Sequence, residues 1–313
     1  MTRLSILHSI RLKKIRMPDY SFLLSQKGLD KGMSEYLHEF RRNGVVRIEN
    51  MISANTLAQM QKSFTEVMEK IENEVKAGKD FGNDWTLYQK PLIYDKEERT
   101  YATNEPFENS PGLIKVCLDS RINQLINRYL GKQTHITQCL GTRILSHDTT
   151  GHGSYQWHHD AWGNRVNMMI LLSKVEEDDQ AMTYLLGSNR LNHSLDKFIN
   201  SRISDEEVRK NYSHLKIKKC TGNPGDIILL DSNGIHSGNR TLGRTRDTYL
   251  VMYSDHRSAQ WVHNLPQEYL SEYTSEQTRP FEWMIEDKKN KKSLCPSYVS
   301  YTDSLPFVRK WLF

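Results

Sequence analysis

A chain of 313 residues, 37% of them hydrophobic and 26% charged, is long enough to bury a substantial core and has the balance of a soluble globular protein, in one large domain or two ordinary ones. No apolar run approaches the roughly 20 residues of a membrane-spanning helix, and the charged N-terminal stretch MTRLSILHSIRLKKIRM does not read as a secretory signal. The net charge of +5 is spread out, with local runs at residues 11–16 and 287–292; it lacks the basic, aromatic-interleaved face of a nucleic-acid module, while leaving open an anionic substrate or peripheral contact with an anionic membrane surface.

Residues 1–33 read as a loosely organised lead-in. A short helix is expected from Ser34 to Gly44, then a strand in VVRIEN. Ser53 caps a long helix whose apolar positions Leu57, Met60, Phe64, Val67, Ile71 and Val75 recur every three or four residues, with Gly78 closing it. Residues 79–109 show no clear period and read as a long loop over one face. Ser110-Pro111 starts another helix, which Gly131 ends.

Beyond Gly131 the texture changes to strands. HITQCLGTRIL, VNMMILLSKV, AMTYLLG, GDIILLD and DTYLVMYS are short β-rich runs separated by turn residues, interrupted by a polar insertion at 190–218. Helices first and strands second predict an α+β, mainly β architecture, with helices packed on a β-sandwich or barrel. The expected division is a lead-in at 1–33, a core domain at 34–257, and an extension at 258–313 whose many aromatic residues, among them Trp261, Tyr269, Tyr273, Phe281, Trp283, Tyr298, Tyr301 and Trp311, pack back on that domain. The four cysteines (Cys117, Cys139, Cys220, Cys295) form no C-x-x-C pair, so neither a zinc ribbon nor a disulfide framework is expected, and a reducing cytoplasm fits.

Chemistry concentrates in YQWHHDAWGNR, from Tyr155 to Arg165. On an extended strand residues i and i+2 share a side, so His158 and Asp160 share a face while His159 points away. An imidazole and a carboxylate make a two-ligand fragment that needs a third ligand, and His236, just past the apolar strand of GDIILLDSNGIHSGNR, is the candidate. Two histidines and one carboxylate form the facial triad of a non-haem Fe(II) oxygenase, with positions open for an organic co-substrate and dioxygen. Ten residues on, Arg246 and Thr248 again share a face; a guanidinium beside a hydroxyl suits the far carboxylate of a dicarboxylate such as 2-oxoglutarate. Arg244 is a rival anchor in poorer register. Asn167 and Met169, alternating inward on the strand after the motif, and more weakly Thr142 and Gln138, are candidates for the co-substrate pocket, against ordinary barrel filling. Trp157 and Trp162 fit either substrate walls or aromatic packing, His147 and His152 read as exposed loop residues, and His193, His214 and His256 receive no role.

From about residue 35 to 255 the chain resembles the phytanoyl-CoA dioxygenase family of Fe(II)/2-oxoglutarate oxygenases, on HEFRRNGVVRIENMIS, WHHD, VNMMILLSKVEEDDQAMTYLLGSNR, GDIILLDSNGIHSGNR and the later arginine. The resemblance implies a double-stranded β-helix (a jelly-roll, cupin-like barrel) with flanking helices. It implies His158, Asp160 and His236 as iron ligands and Arg246 as the 2-oxoglutarate anchor. It further implies hydroxylation of a small or conjugated metabolite with release of succinate and CO2, dioxygen as oxidant and ascorbate as a supporting reductant. LLGSNR stands where the family commonly has Pro-Gly-Ser-His, which changes a turn and leaves the chemistry in place. Related halogenases replace the aspartate, so Asp160 favours hydroxylation. The alternatives are another oxidative outcome on the same cofactors (desaturation, ring formation, halogenation) and a non-catalytic cupin-like metal-binding protein.

Overall fold

A computed structural model describes residues 11–12, 28–82, 90–146, 155–160, 165–191, 193–194, 201–238, 241–255 and 263–289. His147, His152, Trp162, His256, Trp261, Cys295, Tyr298, Tyr301 and Trp311, the side chain of His193 and residues 1–10 and 13–27 of the expected lead-in lie outside the described residues.

Short strand β1 (Arg11–Leu12) precedes helix α1 (Lys31–Asn43). That helix starts three residues earlier than the sequence suggested, because Asp30 rather than Ser34 is the cap: its side chain accepts from Met33 N at 2.8 Å. Gly44 ends it at φ 77°, a left-handed conformation that a glycine adopts without a Cβ clash. Strand β2 (Val45–Ile48) and helix α2 (Ala54–Lys76) follow, the latter capped by Ser53, whose Oγ accepts from Thr56 N. Met60, Phe64, Met68 and Ile71 form its buried stripe.

The stretch at 79–109 departs from the expected loop. It contains a hairpin, β3 (Leu92–Asp95) and β4 (Thr100–Thr103), turned by an Asp95 side chain that accepts from Glu98 N at 2.9 Å and by Arg99 at φ 44°. The helix expected from Ser110 to Gly131 is two helices, α3 (Pro111–Cys117) and α4 (Ser120–Leu130). Asp119 lies at the break and caps the second of them through Arg121 N. Phe40 of α1 stacks on Tyr129 of α4, ring centroids 3.7 Å apart.

The remaining strands are β5 (His135–Ile144), β6 (Trp157–His158), β7 (Arg165–Leu171), β8 (Met182–Leu185), β9 (His193–Ser194), β10 (Arg202–Ile203), β11 (Ile217–Cys220), β12 (Ile227–Asp231), β13 (His236–Gly238) and β14 (Arg246–Ser254), with α5 (Asp205–Asn211) inside the polar insertion. They form a seven-stranded sheet in the order β2-β12-β7-β14-β5-β4-β3 and a five-stranded sheet in the order β10-β6-β13-β8-β11, and β1 pairs with β9. The strand pairings are antiparallel.

The seven-stranded sheet is covered on both faces. Val46, Ile48, Met168, Ile170, Leu229, Val251 and Tyr253 pack against the helices, whereas Val45, Met169, Leu171, Ile228 and Leu230 meet Met182, Tyr184 and Cys220 of the second sheet. Two-sided burial explains why IILLD in β12 is an unbroken apolar run rather than an alternating one. Two antiparallel sheets face to face, with helices outside the larger one, make the double-stranded β-helix architecture. Leu265, Leu270, Phe281 and Met284, which lead into and form α6 (Glu282–Lys289), join the helix-side core. His263 ties that segment down: it accepts from Cys139 N at 2.9 Å through Nε2, and its Nδ1 lies 2.6 Å from Asn104 O.

Candidate metal centre and its cavity

His158 on β6 and His236 on β13 are Cα partners in the antiparallel register, which brings their rings to 4.3 Å between centroids. Asp160 follows β6 and is held by its backbone N–H, which donates to Ser232 O at 2.8 Å. Its Oδ1 lies 3.3 Å from His158 Nε2 and 3.5 Å from His236 Nε2. One ligand atom from each of the three falls within 4.8 Å of the others. Both imidazoles are oriented from behind: His158 Nδ1 lies 2.7 Å from Gln156 O and His236 Nδ1 lies 2.9 Å from Gly234 O. A backbone carbonyl takes only a donor, so both Nδ1 atoms carry a proton, and in the neutral, metal-binding form of each ring the Nε2 lone pair points at the common centre. Two oriented nitrogen donors and one carboxylate oxygen are a donor set that fits a divalent iron.

The turn preceding His236 is equally constrained. Asp231 Oδ1 accepts from Asn233 N and Nδ2, and Ser188 Oγ accepts from Ile235 N at 2.7 Å. Ser188 belongs to LLGSNR, so the departure from the family's usual turn retains a serine that supports the metal-side strand. A Cβ on Gly234 would lie 1.7 Å from the Tyr184 hydroxyl.

The electrostatics follow from crowding. Burial and the neighbouring His236 push the His158 pKa down, favouring the neutral, metal-binding form. Burial also opposes charge on His236, but Asp160 outweighs it and raises that pKa. For Asp160, which stays exposed at the cavity, the crowding that strips water from its carboxylate is outweighed by the two histidines, which hold the carboxyl well below its ordinary value. Asp160 therefore presents an anion across the neutral pH range.

The three residues open into a cavity of about 260 Å³ between the sheets. Arg246, Thr248, Leu250 and Met252 alternate along β14 onto this cavity, as do Asn167 and Met169 on β7. Arg246 is buried and donates through Nη1 to Gln180 O at 2.5 Å. Thr248 and Thr142, Cα partners on β14 and β5, share a hydrogen bond of 2.9 Å between hydroxyls. Arg244 is engaged elsewhere, with Asp179 at 2.8 Å and with Glu176, and does not line the cavity. Gln138 and His159 do not line it either. Trp157 packs in a separate apolar cluster with Leu185, Ile203, Val208 and Ile235, which favours its packing role over a substrate wall.

The sequence singled out residues 79–109 as a long loop suited to binding residues but not the β3–β4 hairpin within it, which contributes Ile93, Asp95, Glu98, Thr100 and Ala102 to the cavity wall. The signal lay in LIYDKEERTYAT, two β-prone ends around a charged turn. Asp95 and Glu98 line the cavity together with Asp160 and Arg246, so the chain's positive balance is not repeated there.

A sequence profile of the phytanoyl-CoA dioxygenase (PhyH) family matches residues 40–246. No curated protein matches the sequence. Among solved structures, EctD from S. alaskensis with 2-oxoglutarate and 5-hydroxyectoine is similar at a TM-score of 0.57 and 18% identity, covering 79% of this chain and 84% of that one. The iron-bound form of the same protein gives 0.56 at 18% identity, covering 77% and 83%. The non-haem α-ketoglutarate-dependent carbocyclase SnoK from nogalamycin biosynthesis gives 0.52 at 15% identity, covering 79% and 92%. At these identities the likeness is one of fold.

Proposed function

The chain belongs to the phytanoyl-CoA dioxygenase family of Fe(II)/2-oxoglutarate-dependent oxygenases, and from that premise we propose that it hydroxylates a C–H bond of a small metabolite at the centre formed by His158, Asp160 and His236. The observation that carries this reading is the convergence of two Nε2 atoms and one Asp160 oxygen at a cavity that Arg246 and Thr248 also line.

In this reading the two histidines and Asp160 hold Fe(II), which supplies the redox chemistry that couples decarboxylation of 2-oxoglutarate, to succinate and CO2, with oxidation of the substrate by dioxygen. Arg246 forks onto the far carboxylate of 2-oxoglutarate, Thr248 adds a hydroxyl, and Thr142 fixes that hydroxyl from the neighbouring strand. Met169, Met182, Leu250 and Met252 exclude water around these polar groups. Net charge alone suggested an anionic substrate; the carboxylates Asp95 and Glu98 in the cavity wall give that preference no support. A cytoplasmic site of action is part of the proposal, resting on the four separated cysteines. Among the described residues no helix is long and apolar enough to cross a membrane.

A second reading keeps the cofactors and changes the outcome. SnoK, a carbocyclase, shares the fold, and the choice between hydroxylation and ring formation lies in how substrate is held. The test of the main proposal is incubation of the Fe(II)-loaded protein with 2-oxoglutarate, ascorbate and dioxygen, with and without pooled metabolites. Succinate is expected, with a substrate gaining one oxygen atom. A loaded protein that neither binds 2-oxoglutarate nor forms succinate overturns the proposal.

A further inference from the structure

Asn167 sits in the middle of β7, between β12 and β14, where it is the Cα partner of Leu230 on one side and Met252 on the other. Its side chain is 3% exposed and lines the cavity. Its amide Nδ2 donates to Asp160 Oδ2 at 3.0 Å. The amide is oriented by that contact, since the flipped form would set one acceptor against another. Its Oδ1 has no hydrogen-bond partner among the described residues, so the bond to Asp160 is the side chain's one hydrogen bond among them. The two oxygens of Asp160 are thereby divided: Oδ1 faces both histidines and Oδ2 is held by Asn167.

A carboxylate can give a metal one oxygen or two. An oxygenase of this class needs three positions left open, two for the keto-acid end of 2-oxoglutarate and one for dioxygen, and a two-oxygen carboxylate closes one of them. We propose that Asn167 is a positioning residue that reserves Oδ2 and so keeps Asp160 a one-oxygen ligand. This rests on the metal-centre reading above and assigns Asn167 a task different from direct contact with 2-oxoglutarate. The central strand suits the task, because a side chain on a strand paired on both edges holds its position more tightly than one on a loop.

The test uses the full chain loaded with Mn(II) in the absence of 2-oxoglutarate, with coordinated water counted from the relaxation of solvent protons. Asn167→Leu keeps the branched shape without a donor, and Asn167→Ala removes it. Both variants are expected to bind Mn(II) with one coordinated water fewer than wild type, and then to bind 2-oxoglutarate about tenfold more weakly. A role confined to stability would lower the melting temperature and leave the water count unchanged, which overturns the proposal. Loss of Mn(II) binding in both variants also overturns it, since Asn167 would then govern affinity rather than the number of oxygens given. A wild-type protein that takes up no Mn(II) overturns the metal-centre reading itself, an outcome distinct from either.

Discussion

His158 and His236 stand opposite each other on β6 and β13 and direct their Nε2 atoms to one oxygen of Asp160, at 3.3 and 3.5 Å. Each ring is fixed from behind by a backbone carbonyl, so the convergence is built before any metal arrives. Replacing either histidine by alanine removes one of three protein ligands. We expect His158→Ala and His236→Ala to lower Mn(II) or Fe(II) affinity by more than the about 100-fold that loss of a supporting contact brings. Anaerobic titration calorimetry measures this, with far-UV circular dichroism confirming that the fold is kept. Affinity within about tenfold of wild type in both variants would place the metal elsewhere.

Arg246 and Arg244 are two residues apart and make opposite predictions. Arg246 is buried on the cavity face, whereas Arg244 bonds Asp179 and Glu176 away from it. Arg246→Ala is expected to weaken 2-oxoglutarate binding at least tenfold, since a charge-assisted bond to a carboxylate contributes about 1.5–3 kcal/mol. Arg244→Ala is expected to leave that affinity unchanged. Equal effects from the two variants would remove the case for Arg246 as anchor.

What was legible in the sequence depended on whether a signal was local. The pocket face of β14 could be read because Arg246 and Thr248 alternate on a single strand. The break at Asp119 is local too, but the start signal at Ser110-Pro111 and the stop signal at Gly131 bracket one helix and leave the capping aspartate between them unread. The β3–β4 hairpin was hidden for a different reason: its strands are four residues each, and their pairing with β5 brings together positions about forty residues apart. The link from Asn167 to Asp160 is a property of the fold, since Asp160 lies beyond the end of β6 and no strand periodicity relates the two.

Gly234 tests the turn that carries His236. Its neighbour Tyr184 is fully buried and donates its hydroxyl to Asp231 O at 2.9 Å, so the ring has nowhere to retreat. A Cβ at 1.7 Å from that hydroxyl must displace either the ring or the turn. We expect Gly234→Ala to destabilise the protein by about 3 kcal/mol, at the upper end of overpacking effects, and to reduce metal affinity as Gly234 O leaves His236 Nδ1. Denaturant unfolding and metal titration measure the two effects. A variant unchanged in both would mean that the turn can rearrange.

His263 provides a pH test remote from the cavity. Burial pushes its pKa down to about 4, against a backbone contact with Asn104 that partly offsets it. The unfolded chain takes up the proton near the ordinary imidazole value of about 6.5, before the native state does. Stability from His263 is therefore fully present above about 6.5 and is lost as pH falls, levelling off only once the native imidazole is protonated near 4. The span corresponds to a loss of up to about 3 kcal/mol. His263→Gln offers an acceptor to Cys139 N and a donor to Asn104 O without titrating, so its unfolding free energy should fall less steeply between pH 6.5 and 4 than that of wild type. Urea unfolding of both proteins across that range decides the matter. Parallel slopes would show that the native imidazole gains its proton as readily as the unfolded one, with burial and the Cys139 N–H exerting no hold on its neutral form.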